Sequence, residues 1–171
     1  TLLGLSALPS DHPLNVGMLG MHGSYAPNVM TQQADVIIAI GMRFSDRVTG
    51  RLDTYAKQAK IIHLDIDNVE IDKTVKTDVS VVGDCKMSLP AITRLLNKNE
   101  HTEWIEGFKP YLQQETEKVI EPAIHPKEGP LLMGEVVNAV AEATDGEAVL
   151  VNDVGQNQMF SCRYFKYKRK L

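Results

Sequence analysis

Two arginines and an aspartate that follow an apolar run form the part of this sequence best suited to chemistry. Residues 35–40 are apolar after an initial aspartate, and Gly41 ends the run. Arg43 and Arg47 then flank Asp46. Guanidinium groups are planar and forked, so a pair of them suits a phosphate or a carbonyl-bearing ring. The alternative is that both arginines form ordinary surface ion pairs, each contributing about 0–1 kcal/mol.

Acidic side chains close the next two runs rich in β-branched residues. Residues 60–67 end in Asp65 and Asp67, and residues 78–84 end in Asp84. In nucleotide-binding sheets, an acid at the end of a strand can accept hydrogen bonds from ribose hydroxyls. A carboxylate at such a position can also cap the following helix. For Asp65 and Asp67 both roles stay open, and the pair could divide them.

Glycines mark four loops or strand ends, around Gly20, Gly41, Gly83 and Gly155. Such loops let backbone N–H groups approach a phosphate or a cofactor ring, although they are equally ordinary β–α turns. The full dinucleotide fingerprint and the phosphate loop ending in Gly-Lys-Ser/Thr are both absent from the sequence. Among the histidines, only His22 is expected to contact a ligand, and His63 is expected to lie in the core with one hydrogen bond. No two histidines have metal-ligand spacing, so a zinc site is not expected.

The elements that must position these residues are strands alternating with helical segments. Strands are predicted over residues 35–40, 60–67 and 78–84, and the first lacks alternation, as expected of a strand buried on both faces. This order predicts an α/β fold, a Rossmann-like parallel sheet flanked by helices and connected by right-handed crossovers. A helix is expected from Asp84 or Ser88 to about Leu96, and a start near Ser88 is preferred because it would place Pro90 in the first turn.

The second half of the chain is predicted to be helical and then to open a further domain. Residues 104–119 keep a helical period that Gly107 and Pro110 should split, and residues 121–130 carry three prolines, as a linker would. An amphipathic helix at 132–140 and a strand at 147–154 look like the opening of a second α/β domain. The predicted domains are therefore 1–100, 101–130 and 131–171.

Composition restricts the class of protein. The 171 residues include 18 basic and 22 acidic side chains, a net charge of -4, which argues against bulk binding to nucleic acid or to a membrane surface. The two cysteines, Cys85 and Cys162, indicate a reducing compartment rather than a disulfide framework.

The tail 163–170 interleaves basic and aromatic residues. An unfinished helix is the preferred interpretation, and binding of single-stranded nucleic acid is the alternative. Because Thr1 is not a natural start, we expect a segment of a longer protein.

Four motifs, taken in order, resemble one family. They are Gly-Met-Leu-Gly-Met-His-Gly at 17–23, Gly-Met-Arg-Phe-Ser-Asp-Arg-Val-Thr-Gly at 41–50, His-Leu-Asp-Ile-Asp at 63–67 and Asp-Val-Gly-Gln-Asn-Gln-Met-Phe at 153–160. This ordered set resembles the catalytic (large) subunit of acetolactate synthase, a thiamine-diphosphate enzyme. The resemblance implies most of a central FAD-binding domain, truncated at its start, followed by the beginning of the thiamine-diphosphate-binding domain.

The resemblance also implies an activity, cofactors and partners. The full-length enzyme would condense pyruvate with a second 2-oxoacid, with loss of CO2, giving 2-acetolactate or 2-aceto-2-hydroxybutyrate for branched-chain amino acid biosynthesis. It would need thiamine diphosphate, Mg2+ and a structural FAD. It would form a homo-oligomer, a dimer or tetramer, with a small regulatory subunit in a bacterial cytoplasm, without nucleic acid or membrane.

The family's cofactor contacts carry over to sixteen positions. Those implied for FAD are Thr1, Leu2, Leu19, Gly20, Met21, His22, Gly41, Arg43, Ser45, Arg47, Asp65, Ile66, Asp84 and Cys85. Those implied for thiamine diphosphate are Gln156 and Asn157.

Two positions depart from the family pattern, which often has Asp at Ser45 and His at Asn157. The family's thiamine-activating glutamate would lie upstream of Thr1, and its metal motif beyond Leu171. We therefore expect no catalytic residue within these 171 residues and no activity from the segment alone. The alternatives are a non-catalytic nucleotide-binding module, or a related thiamine-dependent enzyme such as pyruvate oxidase or glyoxylate carboligase.

Overall fold

A computed structural model describes residues 1–168 and resolves the chain into two compact units. We call Met30–Thr102 the sheet unit, and Thr1–Val29 with Glu103–Leu171 the helical unit. The unit boundaries differ from the predicted domain boundaries, which rest on a family architecture and stay a prediction. No helix in the described part of the chain is both long enough and apolar enough to cross a membrane.

The sheet unit contains three parallel strands in the order β1-β2-β3: β1 (Val36–Ile40), β2 (Lys60–Asp65) and β3 (Val79–Val82). Val36 pairs with Lys60, and Ile62 pairs with Val79. This confirms the predicted parallel α/β sheet. Short elements follow each strand: α2 (Asp46–Thr49), a 3-10 turn (Asn68–Glu70) and α3 (Cys85–Thr93).

One face of the sheet carries the core of the unit. Ala39 of β1 and Ile61 of β2 pack there with Phe44, Tyr55 and Ala56, which come from the segment that connects the two strands. Phe44 is 2% exposed. The segment after β1 is therefore anchored by an aromatic residue that belongs to the sheet's core.

The opposite face differs from the expectation of a strand buried on both sides. Val36, Ile38 and Ile40 of β1 are 44%, 55% and 45% exposed. Apolar residues at alternate positions of a strand share one face, so this is a continuous apolar strip. The prediction of a strand at this run is confirmed. The prediction that both of its faces are buried is wrong for the described residues, because this face is exposed.

Helix α3 begins earlier than expected. The predicted start near Ser88 is wrong, because Asp84 caps the helix by accepting a hydrogen bond from the N–H of Lys86 at 2.8 Å. Pro90 consequently lies inside the helix rather than in its first turn. The helix ends at Thr93, three residues after this interior proline.

The helical unit begins with a 3-10 segment (Leu2–Ala7), and α1 (Tyr25–Thr31) crosses the unit boundary. The expected split at Gly107 separates α4 (Thr102–Glu106) from α5 (Lys109–Glu115). A π-helical turn (Thr116–Ile120) and α6 (Glu121–Ile124) follow, then α7 (Met133–Ala143) and α8 (Gln156–Tyr164).

Helix α7 matches the predicted amphipathic helix, but the strand predicted at 147–154 does not form. The structure assigns no strand there, and Val149, Val151 and Val154 are 74%, 89% and 84% exposed. A strand needs a neighbouring strand for its backbone hydrogen bonds, and none lies beside this segment among residues 1–168. In the tail, α8 ends at Tyr164 and 165–168 are not helical; residues 169–171 lie outside the described part.

Candidate functional site

The predicted site residues of the sheet unit meet at one edge of the sheet. Because the three strands are parallel, their carboxyl ends lie side by side. The N–H of Gly41 donates to the carbonyl of Leu64 at 2.8 Å, and the N–H of Gly83 donates to the carbonyl of Asp65 at 2.9 Å. Eight of the predicted contacts thus share this edge: Gly41, Arg43, Ser45, Arg47, Asp65, Ile66, Asp84 and Cys85.

The loop after β1, residues 41–47, is fixed by its core residue. Phe44 adopts a positive φ of 49° and packs edge-on against the rings of Tyr55 and His63, at centroid distances of 6.3 and 5.2 Å. His63 is fully buried, and its Nε2 lies 2.7 Å from the carbonyl oxygen of Met42. The expectation of a core histidine with one hydrogen bond is confirmed. The core residues Phe44 and His63 therefore fix the loop backbone, while the side chains of Arg43 and Arg47 remain exposed.

Neither arginine of this loop is engaged in a strong ion pair. Arg47 Nη1 lies 3.7 Å from Asp46 Oδ2, and these side chains are 67% and 79% exposed. Exposed pairs of this kind contribute about 0–1 kcal/mol. Arg43 has no salt bridge to any other part of residues 1–168. Both guanidinium groups are thus free to meet an anionic ligand.

Of the two acids at the end of β2, Asp67 takes the capping role that the sequence left open. Asp67 Oδ1 accepts from the N–H of Val69 at 3.0 Å and so caps the 3-10 turn. Asp65 is 8% exposed, and its Oδ1 accepts from the N–H of Asp67 at 2.9 Å. Its Oδ2 lies 3.8 Å from His63 Nε2, beyond hydrogen-bonding distance. Asp65 therefore retains an acceptor oxygen at the strand end.

In the helical unit, the loop 20–24 carries the other glycine-rich motif and is held by Asn28. The Asn28 side chain accepts from the N–H of Gly20 at 2.9 Å and donates to the carbonyls of Gly20 and Ser24 at 2.9 and 3.0 Å. A Cβ at Gly23 would lie 2.1 Å from the Met18 carbonyl oxygen, so the close approach that the glycines predict is an approach of the chain to itself.

Three more residues of the helical unit hold the same loop, and sequence reasoning missed them. Glu115 Oε2 accepts from the N–H of Tyr25 at 2.8 Å. Arg163 Nη2 donates to the carbonyl of Gly23 at 2.7 Å. Cys162 Sγ lies 3.6 Å from the carbonyl oxygen of His22 and 3.2 Å from that of Met159 in its own helix, and its single S–H can donate to either. Burial raises the pKa of the Cys162 thiol, which keeps the donor protonated at neutral pH. A local motif cannot reveal these contacts, because the partners are separated by 90 positions in one case and by 140 in the others.

The remaining predicted contacts also lie in the helical unit. His22 is half-buried, and its Nδ1 is buried without a hydrogen-bond partner among the described residues. Leu19 is half-buried and Met21 is 66% exposed. Gln156 and Asn157 are exposed in the first turn of α8, after Gly155 with φ 118°. Thr1 and Leu2 open the chain at the first 3-10 segment.

The fold defines a class, the parallel α/β domains whose strands end together at one edge of the sheet. Residues 1–92 match the family described as "Thiamine pyrophosphate enzyme, central domain". The chain belongs to this family.

Its relatives narrow the class further. The chain is 40% identical to the acetolactate synthase large subunit of Lactococcus lactis subsp. lactis (strain IL1403), over 98% of this chain and 28% of that protein. It is 40% identical to the probable acetolactate synthase large subunit of Methanocaldococcus jannaschii, over 98% of this chain and 29% of that protein. It is 37% identical to acetolactate synthase 1, chloroplastic, of Oryza sativa subsp. japonica, over 99% of this chain and 26% of that protein. The chain thus spans less than a third of the length of these curated relatives.

Proposed function

We propose that this chain is part of an acetolactate synthase large subunit. The whole protein would condense pyruvate with pyruvate or with 2-oxobutyrate, with loss of CO2, in the biosynthesis of valine, leucine and isoleucine. The observation that carries the proposal is identity of 37–40% to acetolactate synthases of a bacterium, an archaeon and a plant over 98–99% of this chain.

The sheet unit would hold part of FAD at its strand-end edge. The proposed contacts are Gly41, Arg43, Ser45, Arg47, Asp65, Ile66, Asp84 and Cys85. The residues fit such a ligand because two exposed guanidinium groups, of which only that of Arg47 has a weak ion pair, suit phosphates, and the remaining Asp65 oxygen suits a ribose hydroxyl. Asp84 fits less completely, because one of its oxygens already caps α3. FAD, when bound, would organise the site without net redox chemistry.

The helical unit would supply the other contacts. Thr1, Leu2, Leu19, Gly20, Met21 and His22 are proposed for FAD, and Gln156 and Asn157 for thiamine diphosphate. His22 fits a ligand contact because its Nδ1 is buried without a partner in the described structure. Thiamine diphosphate, when bound, supplies the electron sink for decarboxylation and carbon–carbon bond formation. Gln156 and Asn157 would bind and orient it, since both are exposed at the start of α8.

The other properties of the whole protein belong to the same proposal. We assign residues 1–100 to the FAD-binding domain, 101–130 to a connector and 131–171 to the start of the thiamine-diphosphate-binding domain. The whole protein would need Mg2+, form a dimer or tetramer, bind a small regulatory subunit and work in a bacterial cytoplasm. Among residues 1–168, no group of three or more His, Cys, Asp or Glu side chains is arranged to hold a metal, so the Mg2+ ligands would come from elsewhere in the protein.

The test is an assay of the full-length protein with pyruvate, thiamine diphosphate, Mg2+ and FAD. We expect acetolactate as the product, with no oxygen uptake. Consumption of oxygen or reduction of a quinone would instead indicate a pyruvate oxidase. Tartronate semialdehyde from glyoxylate would indicate a glyoxylate carboligase, and no turnover of any 2-oxoacid would leave a non-catalytic nucleotide-binding module.

A further inference from the structure

Besides Asn28, the loop 20–24 is contacted by side chains that lie far away in the sequence, and two of them, a buried glutamate and a partly exposed arginine, form an ion pair. Glu115, at the end of α5, is 7% exposed. Its Oε1 lies 3.6 Å from Arg163 Nη1, and its Oε2 accepts from the N–H of Tyr25 at 2.8 Å. A buried carboxylate requires both a partner charge and hydrogen bonds. Arg163 and the Tyr25 amide together meet that requirement.

Arg163 connects this carboxylate to the loop itself. Its Nη2 donates to the carbonyl of Gly23 at 2.7 Å, while its Nη1 faces Glu115. One guanidinium group thus contacts both Glu115 of α5 and the backbone of the loop. Lysine has a single ammonium group on a flexible stem and cannot reproduce this geometry. The adjacent Cys162 also contacts the loop, with its Sγ 3.6 Å from the His22 carbonyl oxygen, so the end of α8 contacts two successive carbonyls.

The other end of α8 carries the proposed thiamine diphosphate contacts. Asn157 and Arg163 lie on one helix, six positions apart, which corresponds to about 9 Å along the axis. A rigid secondary-structure element can carry coupling between two sites that it contacts. The loop that Arg163 and Cys162 of α8 contact contains Gly20 and His22, which are proposed FAD contacts.

We propose that Arg163 and Glu115 are positioning residues for the loop 20–24, and that α8 thereby links the binding of thiamine diphosphate to the binding of FAD. The inference rests on the proposed function, because it takes the two cofactors from there. It assigns no contact with either cofactor to Arg163 or Glu115. Their effect is to hold the backbone of residues 20–25 in the conformation that presents Gly20 and His22.

Two observables distinguish positioning from general stability. The first is hydrogen exchange of the Tyr25 amide in the cofactor-free, full-length protein, since this amide donates to Glu115. The second is the ratio of FAD dissociation constants with and without saturating thiamine diphosphate and Mg2+. Two ligands that share a positioning element influence each other's affinity by the same factor, whichever binds first.

The variants are Glu115→Gln and Arg163→Gln, with Arg163→Lys as a milder form should the glutamine variant fail to fold. Matched controls are Glu117→Gln, an exposed glutamate two residues further along, and Arg51→Gln, an exposed arginine paired with Asp53. We expect thiamine diphosphate to tighten FAD binding in the wild type. In Arg163→Gln and Glu115→Gln we expect FAD to bind about tenfold more weakly, corresponding to ~1.4 kcal/mol.

In the same two variants, the Tyr25 amide should exchange faster and the coupling ratio should fall towards one. Arg163→Lys should give intermediate values, and both controls should stay within about twofold of the wild type. The positioning role would be overturned if the glutamine variants had the FAD affinity and the Tyr25 exchange rate of the wild type. If Arg163→Gln does not fold, the same comparison is made with Arg163→Lys. A coupling ratio that survives in Arg163→Gln would overturn the link. A wild-type protein that binds FAD equally well with and without thiamine diphosphate would overturn the link alone. A wild-type protein that binds no FAD would overturn the proposed function together with this inference.

Discussion

The two glycine-rich loops of this chain are stabilised in opposite ways. The loop at 41–47 has its own anchor, Phe44, which is 2% exposed in the core of the sheet unit. Its arginines therefore stay exposed and weakly paired. The loop at 20–24 has no such anchor, and its backbone is held by Asn28, Glu115 and Arg163.

This difference separates the proposed FAD contacts into two kinds. A loop held from below by a core residue can offer charged side chains to a ligand without losing its shape. A loop held by hydrogen bonds to its carbonyls and N–H groups can offer only what remains, here mainly the backbone near Gly20 and the side chain of His22. The three predictions below alter one loop at a time, and they are ordered from the largest expected effect to the smallest.

Truncating the anchor of the first loop should have the largest effect. Phe44→Ala removes a ring packed against Tyr55 and His63, and buried Phe→Ala changes cost about 3–5 kcal/mol. Hydrogen exchange of the β2 amides in the full-length protein measures the local loss of stability. Leu95→Ala is the matched control, because Leu95 is 86% exposed in the same unit. A loss below about 1 kcal/mol in Phe44→Ala would show that the loop has another anchor.

Adding one carbon to the second loop should have the next largest effect. In Gly23→Ala the new Cβ would lie 2.1 Å from the Met18 carbonyl oxygen, so the loop must shift. Overpacking of this kind costs about 1–3 kcal/mol, and we expect FAD to bind at least about tenfold more weakly. Flavin fluorescence titration of the full-length protein measures this change.

Gly129→Ala is the control for that substitution. Unlike Gly23, Gly129 has a positive φ, 112°, and no atom lies within 4 Å of its added Cβ. It should lose some stability and keep its FAD affinity within about twofold. Equal FAD affinities for Gly23→Ala and the wild type would mean that the conformation of loop 20–24 does not matter to the cofactor.

Removing one exposed charge from the first loop should have the smallest structural effect and a selective effect on binding. Arg47→Ala loses a charged donor whose only recorded partner in the described structure, Asp46, is 3.7 Å away. We expect unchanged stability and FAD binding weaker by about tenfold, the scale of one charge-assisted hydrogen bond. Arg51→Ala, at an exposed arginine outside the proposed site, is the control. Flavin affinity that is the same in both variants would remove Arg47 from the site.

The sheet and its functional edge were predictable because their signals are local. Short β-branched runs ending in Gly41, Asp65 and Gly83 identify three parallel strands, and parallel strands bring their carboxyl ends together. The core role of His63 followed from its position within a strand.

The remaining features depend on distant contacts. No pattern along the chain shows that Glu115 accepts from Tyr25 or that Arg163 reaches Gly23, since these pairs are 90 and 140 positions apart. The start of α3 was mispredicted because Pro90 was given more weight than the cap at Asp84. The apolar run at 147–154 indicated a strand, but strand formation also needs a partner that the described residues do not provide.

The measurement that tests the account most directly is a parallel titration of flavin-free, full-length protein with FAD. Flavin fluorescence reports binding, and acetolactate formation from pyruvate with thiamine diphosphate and Mg2+ reports activity. The account predicts saturable binding and acetolactate formation that rises with the same half-saturation, without oxygen uptake. Acetolactate formation that is complete before FAD is added, or a protein that takes up no FAD, would contradict it.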